Sequence, residues 1–294
     1  MTTLQAFSPS TTPTPDPTIS IVLPTLNEAA NLPHVLCDIP QDVHQLILVD
    51  GGSVDGTVDV ARSLFPRVEV VQQTRKGKGN ALACGFERCT GDIIVMIDAD
   101  GSTSPKEIPD FVAALTGGAA FAKGTRFAKG GRSLDITFRR RLGNLMLNTV
   151  VNVLFRTRFS DLCYGYNAFW RDVLPVLQLP STDLAQPADG SKLWGDGFEI
   201  ETLINIRVAR AFRKQIAEVA SIEAERIHGE SNLNAVSDGL RVMRTILSER
   251  FGTRRTAAPA TKPLASRDSV RRETTAHVRQ PADLADDVVI KRAS

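Results

Sequence analysis

Two carboxylates, Asp98 and Asp100, flank Ala99 directly after the apolar run Ile93–Ile97. Carboxylates so close repel one another, and a divalent cation is their natural partner. An ion held by few protein ligands keeps positions open for phosphate oxygens and can neutralise a diphosphate leaving group. The same Asp-Ala-Asp also fits a solvated turn. Spacing excludes an EF-hand, because Thr103 and Pro109 stand where that loop requires glycine and glutamate.

Three more segments offer chemistry at the ends of apolar runs. Pro24-Thr25-Leu26-Asn27-Glu28 follows Ile19–Leu23. Glu28 suits a nucleobase or ribose, although helix starts favour acids in any case, and Asn27 suits a helix cap. Asp50-Gly51-Gly52-Ser53-Val54-Asp55-Gly56-Thr57 follows Leu46–Val49. Its glycines let a ligand approach the backbone, Asp50 accepts hydrogen bonds from a base or ribose, and Thr57 suits a cap. Arg75-Lys76-Gly77-Lys78-Gly79-Asn80 is basic, glycine-rich and opens a helix. That suits a phosphate or a base edge, or simply a solvated basic turn. Asn80 stands where a P-loop needs Ser or Thr, and Leu82 takes the third glycine position of a dinucleotide fingerprint.

These segments need strands to hold them. Apolar runs at 19–23, 46–49, 68–71 and 93–97 alternate with helical patterns at 57–64, 79–88 and 105–115. Alternation of this kind predicts an α/β fold with a mostly parallel central sheet flanked by helices, and ligands in such sheets sit beyond the carboxyl ends of the strands. Further helices are expected at 142–155, 198–212 and 236–247, and one or two strands at 216–225. Residues 1–17 and 252–294 read as disordered tails around a domain at 18–251. Net charge is +2 over 294 residues, which does not suggest a nucleic-acid binder. The four cysteines lack metal or disulfide spacing, so a reducing cytoplasm is expected. The start lacks a signal-peptide pattern, and no apolar run reaches the ~18 residues of a membrane span.

In this order the segments resemble the family 2 glycosyltransferases, and within them the dolichyl- or polyprenyl-phosphate sugar synthases. Gly124-Thr125-Arg126-Phe127, Asp161–Phe169 and Arg226-Ile227-His228-Gly229-Glu230-Ser231-Asn232-Leu233 extend the likeness to roughly Ile19–Ser248. The resemblance implies a GT-A fold (the Rossmann-like nucleotide-diphospho-sugar transferase architecture), inversion at the anomeric carbon and Mg2+ or Mn2+. Asp98, Ala99 and Asp100 would hold the metal and donor diphosphate, joined on the donor side by Pro24, Thr25, Asn27, Glu28, Asp50, Gly51, Ser53, Lys76, Lys78 and Gly79. Ser102 replaces a longer polar ligand of relatives, which makes His228 a candidate metal ligand, against a structural role. Asn232 replaces a lysine.

Two acceptors fit. A polyprenyl phosphate is already an anion and needs no base. Arg126, the Arg139, Arg140 and Arg141 cluster and Ser231 would hold it, and residues 135–160 would lie on the inner face of the cell membrane. The stretch 142–155 fits an ordinary core helix equally well. A hydroxyl acceptor needs a base, and Asp196 in Trp194-Gly195-Asp196-Gly197 is the candidate. A sugar-nucleotide-binding protein without turnover is the third reading.

Overall fold

Strands β1 (Ile19–Thr25), β2 (Gln45–Asp50), β3 (Glu69–Gln72) and β4 (Ile93–Met96) form in the computed structural model where the four apolar runs predict them. The structure describes residues 16–229 and 235–252. These strands pair in parallel, in the order β3-β2-β1-β4, and every residue of β4 is buried. Continuous β-branched runs suit strands covered on both faces.

Helices α1 (Leu32–Leu36), α2 (Thr57–Leu64) and α3 (Lys78–Phe86) connect them, and α4 (Ile108–Thr116) follows β4 after a short 3-10 turn at Pro105–Glu107. Asn27 does not cap a helix. It adopts a left-handed φ of 57°, and its carboxamide oxygen accepts the Val54 N–H across to the neighbouring loop. Thr57 likewise ties loops together: its hydroxyl accepts the Glu28 N–H and donates to Asp55.

The second half departs from simple alternation. β5 (Phe121–Thr125) does not pair with β4; β7 (Asn167–Trp170) lies between them, antiparallel to both. β8 (Ile216–Ala220) then pairs in parallel with β5, completing a seven-stranded sheet. A two-stranded ribbon, β6 (Arg132–Ser133) with β9 (Ile222–Glu223), stands apart. α5 (Phe138–Phe155), α6 (Leu174–Leu177), α7 (Ile200–Phe212) and α8 (Ala235–Phe251) complete this half. α5 starts a turn earlier than its apolar pattern, because the Thr137 hydroxyl caps it by accepting the Arg140 N–H.

The main core packs both faces of the sheet, and a smaller cluster around Val151, Leu162, Ile206 and Ile246 joins α5, α7 and α8. α5 is only half used: Asn144, Asn148 and Val151 are buried, while Phe138, Leu142, Leu145, Met146 and Val153 form an exposed apolar stripe. None of the described helices is long and apolar enough to cross a membrane.

Candidate active site

The carboxyl ends of β1, β2 and β4 bring the strand-end segments to one edge of the sheet. Glu28, Asp98, Asp100 and Glu201, from the start of α7, face two cations there. Lys78 Nζ lies 2.6 Å from Asp98 and 2.7 Å from Glu201, and Arg226 lies 2.9 Å from Glu28 and 3.5 Å from Asp100. The Asp98 and Asp100 side chains keep 30% and 21% of their surface open. Burial pushes the Glu201 carboxyl above its ordinary value, against the pull of Lys78. Burial works against the Lys78 ammonium too, but Asp98 and Glu201 outweigh it and hold the proton more tightly than usual.

Four carboxylates against two cations leave a net negative cluster, and its two half-open members lie two residues apart. That charge balance fits a divalent ion. The described residues contain no group of three His, Cys, Asp or Glu side chains able to hold a metal, so water and donor phosphates would supply the other ligands, as hard cations accept. Ser102 contributes by donating from its hydroxyl to Asp100 at 2.6 Å, which orients the carboxylate.

His228 meets this cluster through its backbone, where its carbonyl accepts from Arg226. Its backbone N–H donates to the Asn31 carboxamide and its carbonyl accepts from the same side chain, while its ring stands 5.9 Å from His34. These bonds, with the Ile227 N–H on the Asp100 carbonyl, hold the 226–228 turn beside the carboxylates, and the imidazole as third ligand stays an expectation.

The donor-side loops are organised largely by their own side chains. Asp50 accepts the N–H groups of Gly52 and Ser53 and a hydrogen bond from Gln72, and it keeps lone pairs for another donor. The Gly51 N–H donates to Thr25, and the Ser53 hydroxyl accepts the Asn27 N–H. Pro24 and Thr25 end β1, with the Thr25 hydroxyl on the Val49 carbonyl. Ala99 is buried and Lys76 is exposed, its N–H on Gln186. Gly77 and Gly79 have a reason the sequence did not show. A Cβ at either would overlap the carbonyl of Asp196 or Gly195, and the Gly79 N–H donates to Asp196 O at 2.8 Å.

Two expected acceptor or base residues prove to be locked. Asp196 is 1% exposed and holds Arg75 in a two-pronged pair at 2.8 and 3.0 Å, while Arg75 also donates to the carbonyls of Ser181 and Leu184. A carboxylate saturated by a buried guanidinium is badly placed to take a substrate proton, so Asp196 is reassigned to fastening the 181–197 loop over the start of α3. Arg126, 9% exposed, forks onto Asp161 at 2.7 and 2.9 Å, gives Nη1 to Glu223 and lies over the Tyr164 ring. Burial raises the Asp161 carboxyl, but Arg126 outweighs it and holds the group below its ordinary value. With its donors consumed, Arg126 braces β5 against the β8–β9 segment and is not free for an acceptor phosphate.

Arg139, Arg140 and Arg141 sit in the first turn of α5. Arg140 makes a loose pair with Asp135, and Arg141 lies over Phe127. That turn holds no acid, although the helix dipole favours anions there. Ser231 lies outside the described residues. Glu201 and Arg226 escaped the sequence reading: Glu201 sits inside an apolar helix pattern, and only the fold brings it to Asp98. Gly165 carried a signal, because a side chain there would strike Glu201, Lys78 and Asp98.

The parallel β1–β4 sheet, the intruding antiparallel β7 and the strand-end carboxylates define a GT-A nucleotide-diphospho-sugar transferase architecture. Residues 20–177 match the family model "Glycosyl transferase family 2", and the chain belongs to that family. It is 35% identical over 175 residues to a polyprenol monophosphomannose synthase of Mycolicibacterium smegmatis, covering 55% of this chain and 65% of that one. It is 29% identical over 225 residues to a dolichol-phosphate mannosyltransferase of Pyrococcus furiosus, covering 73% and 59%. The chain thus spans about two thirds or less of these two relatives. Among solved structures it resembles glucosyl-3-phosphoglycerate synthase from Mycobacterium tuberculosis, in complex with Mn2+, uridine diphosphate and glucosyl-3-phosphoglycerate, at a TM-score of 0.58 and 26% identity over 80% of each chain. The same enzyme has also been solved with Mg2+ and uridine diphosphate.

Proposed function

We propose that this protein is an inverting glycosyltransferase that moves a hexose from a nucleotide-diphospho-sugar to a polyprenyl phosphate at a membrane surface. The observation that carries the reading is the net negative, half-open cluster around Asp98 and Asp100 at the strand ends. Asp98 and Asp100 would hold Mg2+ or Mn2+, which when bound offsets the charge that develops on the leaving diphosphate. Lys78 is placed to exchange a carboxylate for a phosphate oxygen, and the loops at Glu28 and Asp50 would border the nucleoside. An acceptor phosphate carries its own negative charge near neutral pH and attacks without a base.

The acceptor's binding side follows from α5. Its open apolar stripe, with Phe138 79% and Val153 73% exposed, has Arg139–Arg141 at one end and Arg156 and Arg158 at the other. An amphipathic helix with basic ends suits a bilayer surface bearing anionic headgroups. Names of two relatives point to the same acceptor class.

A hydroxyl acceptor is the second reading, favoured by the likeness to a synthase whose complex holds glucosyl-3-phosphoglycerate. The test is a transfer assay with Mg2+ or Mn2+, labelled UDP- and GDP-sugars, and either a short polyprenyl phosphate or 3-phosphoglycerate. Label entering the organic phase, lost with Asp98→Ala, supports the lipid reading. Label appearing only on the water-soluble acceptor overturns it.

A further inference from the structure

A groove of about 810 Å³ opens between α7 and α8, under the loop that carries Lys192 and Trp194. Five cations line it, Lys192, Arg207, Arg210, Arg241 and Arg244, against two acids, Glu199 and Glu249. Both acids are already engaged. Arg207 and Arg210 share Glu249, and Arg241 takes Glu199 at 2.9 Å. Lys192 and Arg244 have no ion-pair partner among the described residues. Cations near a helix carboxyl end answer the helix dipole, which accounts for Arg210. Arg241 and Arg244 lie in the middle of α8, one turn apart on the same face, where no helix end accounts for them.

Like charges gathered in a concave site repel one another unless an anion joins them, and the low-dielectric walls strengthen its attraction. The volume lies within the range of small-molecule sites. We infer that this groove binds a small compound bearing two or more phosphate charges, with Lys192 and Arg244 as its primary contacts. Phosphate chemistry fits because these donors are charged and the unpaired Arg244 guanidinium presents a planar N–H edge.

The groove connects to the donor loop. Glu199 accepts Arg241 on the groove side and the N–H groups of Gly195 and Gly197 on the other, and the next carbonyl, of Asp196, receives the Gly79 N–H. An occupant drawing on Arg241 would therefore bear on the segment that holds Lys78.

Calorimetric titration of the full chain with inorganic pyrophosphate, in EDTA, tests the inference. Saturable binding is expected, weakened at least about tenfold in Lys192→Ala/Arg244→Ala. Both removed side chains are exposed and unpaired, so the double variant should keep the wild-type circular dichroism. Absence of binding, or binding that survives the double substitution, would overturn it. Co-sedimentation with phosphatidylglycerol–phosphatidylcholine vesicles separates the sources. Unchanged sedimentation of the double variant assigns the groove to a soluble phosphate, and loss assigns it to a lipid headgroup.

Discussion

Two sets of ion pairs in this protein look alike on paper and differ in setting. Around β1 and β4, Lys78 and Arg226 each bridge a buried acid, Glu201 or Glu28, to one that keeps a fifth or more of its surface open, Asp98 or Asp100, and the acids outnumber the cations. Around β5 and the 181–197 loop, Arg126–Asp161 and Arg75–Asp196 are buried, bidentate and further saturated by carbonyls or Glu223. On the function proposed above, the first set would exchange partners for an ion and a phosphate. The second cannot release a partner without stranding a charge in the interior. Residue type alone, an arginine or aspartate in a plausible loop, does not separate a binding group from a brace; coordination and burial do.

The largest expected effect is on the second set. Arg126→Ala leaves the fully buried Asp161 without its guanidinium and should cost about 3–5 kcal/mol of stability, read as a fall in the denaturant midpoint with an unchanged slope. A stability loss under ~1 kcal/mol would place Arg126 among the exchangeable groups. Asp100→Asn should do the reverse: transfer falls on the order of 10²–10³-fold, as when an electrostatic stabiliser of the transition state is removed, while the midpoint stays within ~0.5 kcal/mol. Equal losses of stability and activity would erase the distinction.

Acid sharpens the contrast. Asp161 has a folded pKa below its ordinary 3.8. It therefore binds a proton less readily folded than unfolded. Its stabilisation is full above that ordinary value and is lost as pH falls through the folded value. Arg126→Ala should flatten stability over that acid window, read from denaturant midpoints measured across it. The smallest effect is expected at α5: Leu142→Ser/Met146→Ser should lower vesicle binding several-fold while leaving stability almost unchanged, because both side chains already face solvent. Intact vesicle binding would turn attention to another face.

How much of this was legible in the sequence follows the same division. Ile93–Ile97 before Asp98, and Leu46–Val49 before Asp50, announce strand ends because fully buried parallel strands read as unbroken apolar runs. The donor loops could be listed from there. β7 was not read as a strand, because Asn167–Trp170 is four residues long and its partners are set by topology rather than pattern. Glu201 and Arg226 were missed as site members because each stands far in the chain from Asp98. Arg126 and Asp196 were misjudged because the residues that saturate them, Asp161 and Arg75, are 35 and 121 positions away. The crowding of Gly77 and Gly79 against the Asp196 and Gly195 carbonyls depends on a loop more than a hundred residues later, so no local pattern announces it.

The place of β7 has a consequence for how the chain is made. β4 borders β1 on one side, and its other edge is closed only by Asn167–Trp170. During synthesis at roughly 5–20 residues per second, the Ile93–Met96 edge waits about 4–15 s for that strand to emerge, with a row of unpaired N–H and C=O groups beside an entirely apolar sequence. Such an edge invites pairing with other chains. The nascent protein is then most vulnerable to misassembly between completion of its β1–β4 half and arrival of the strand that seals it.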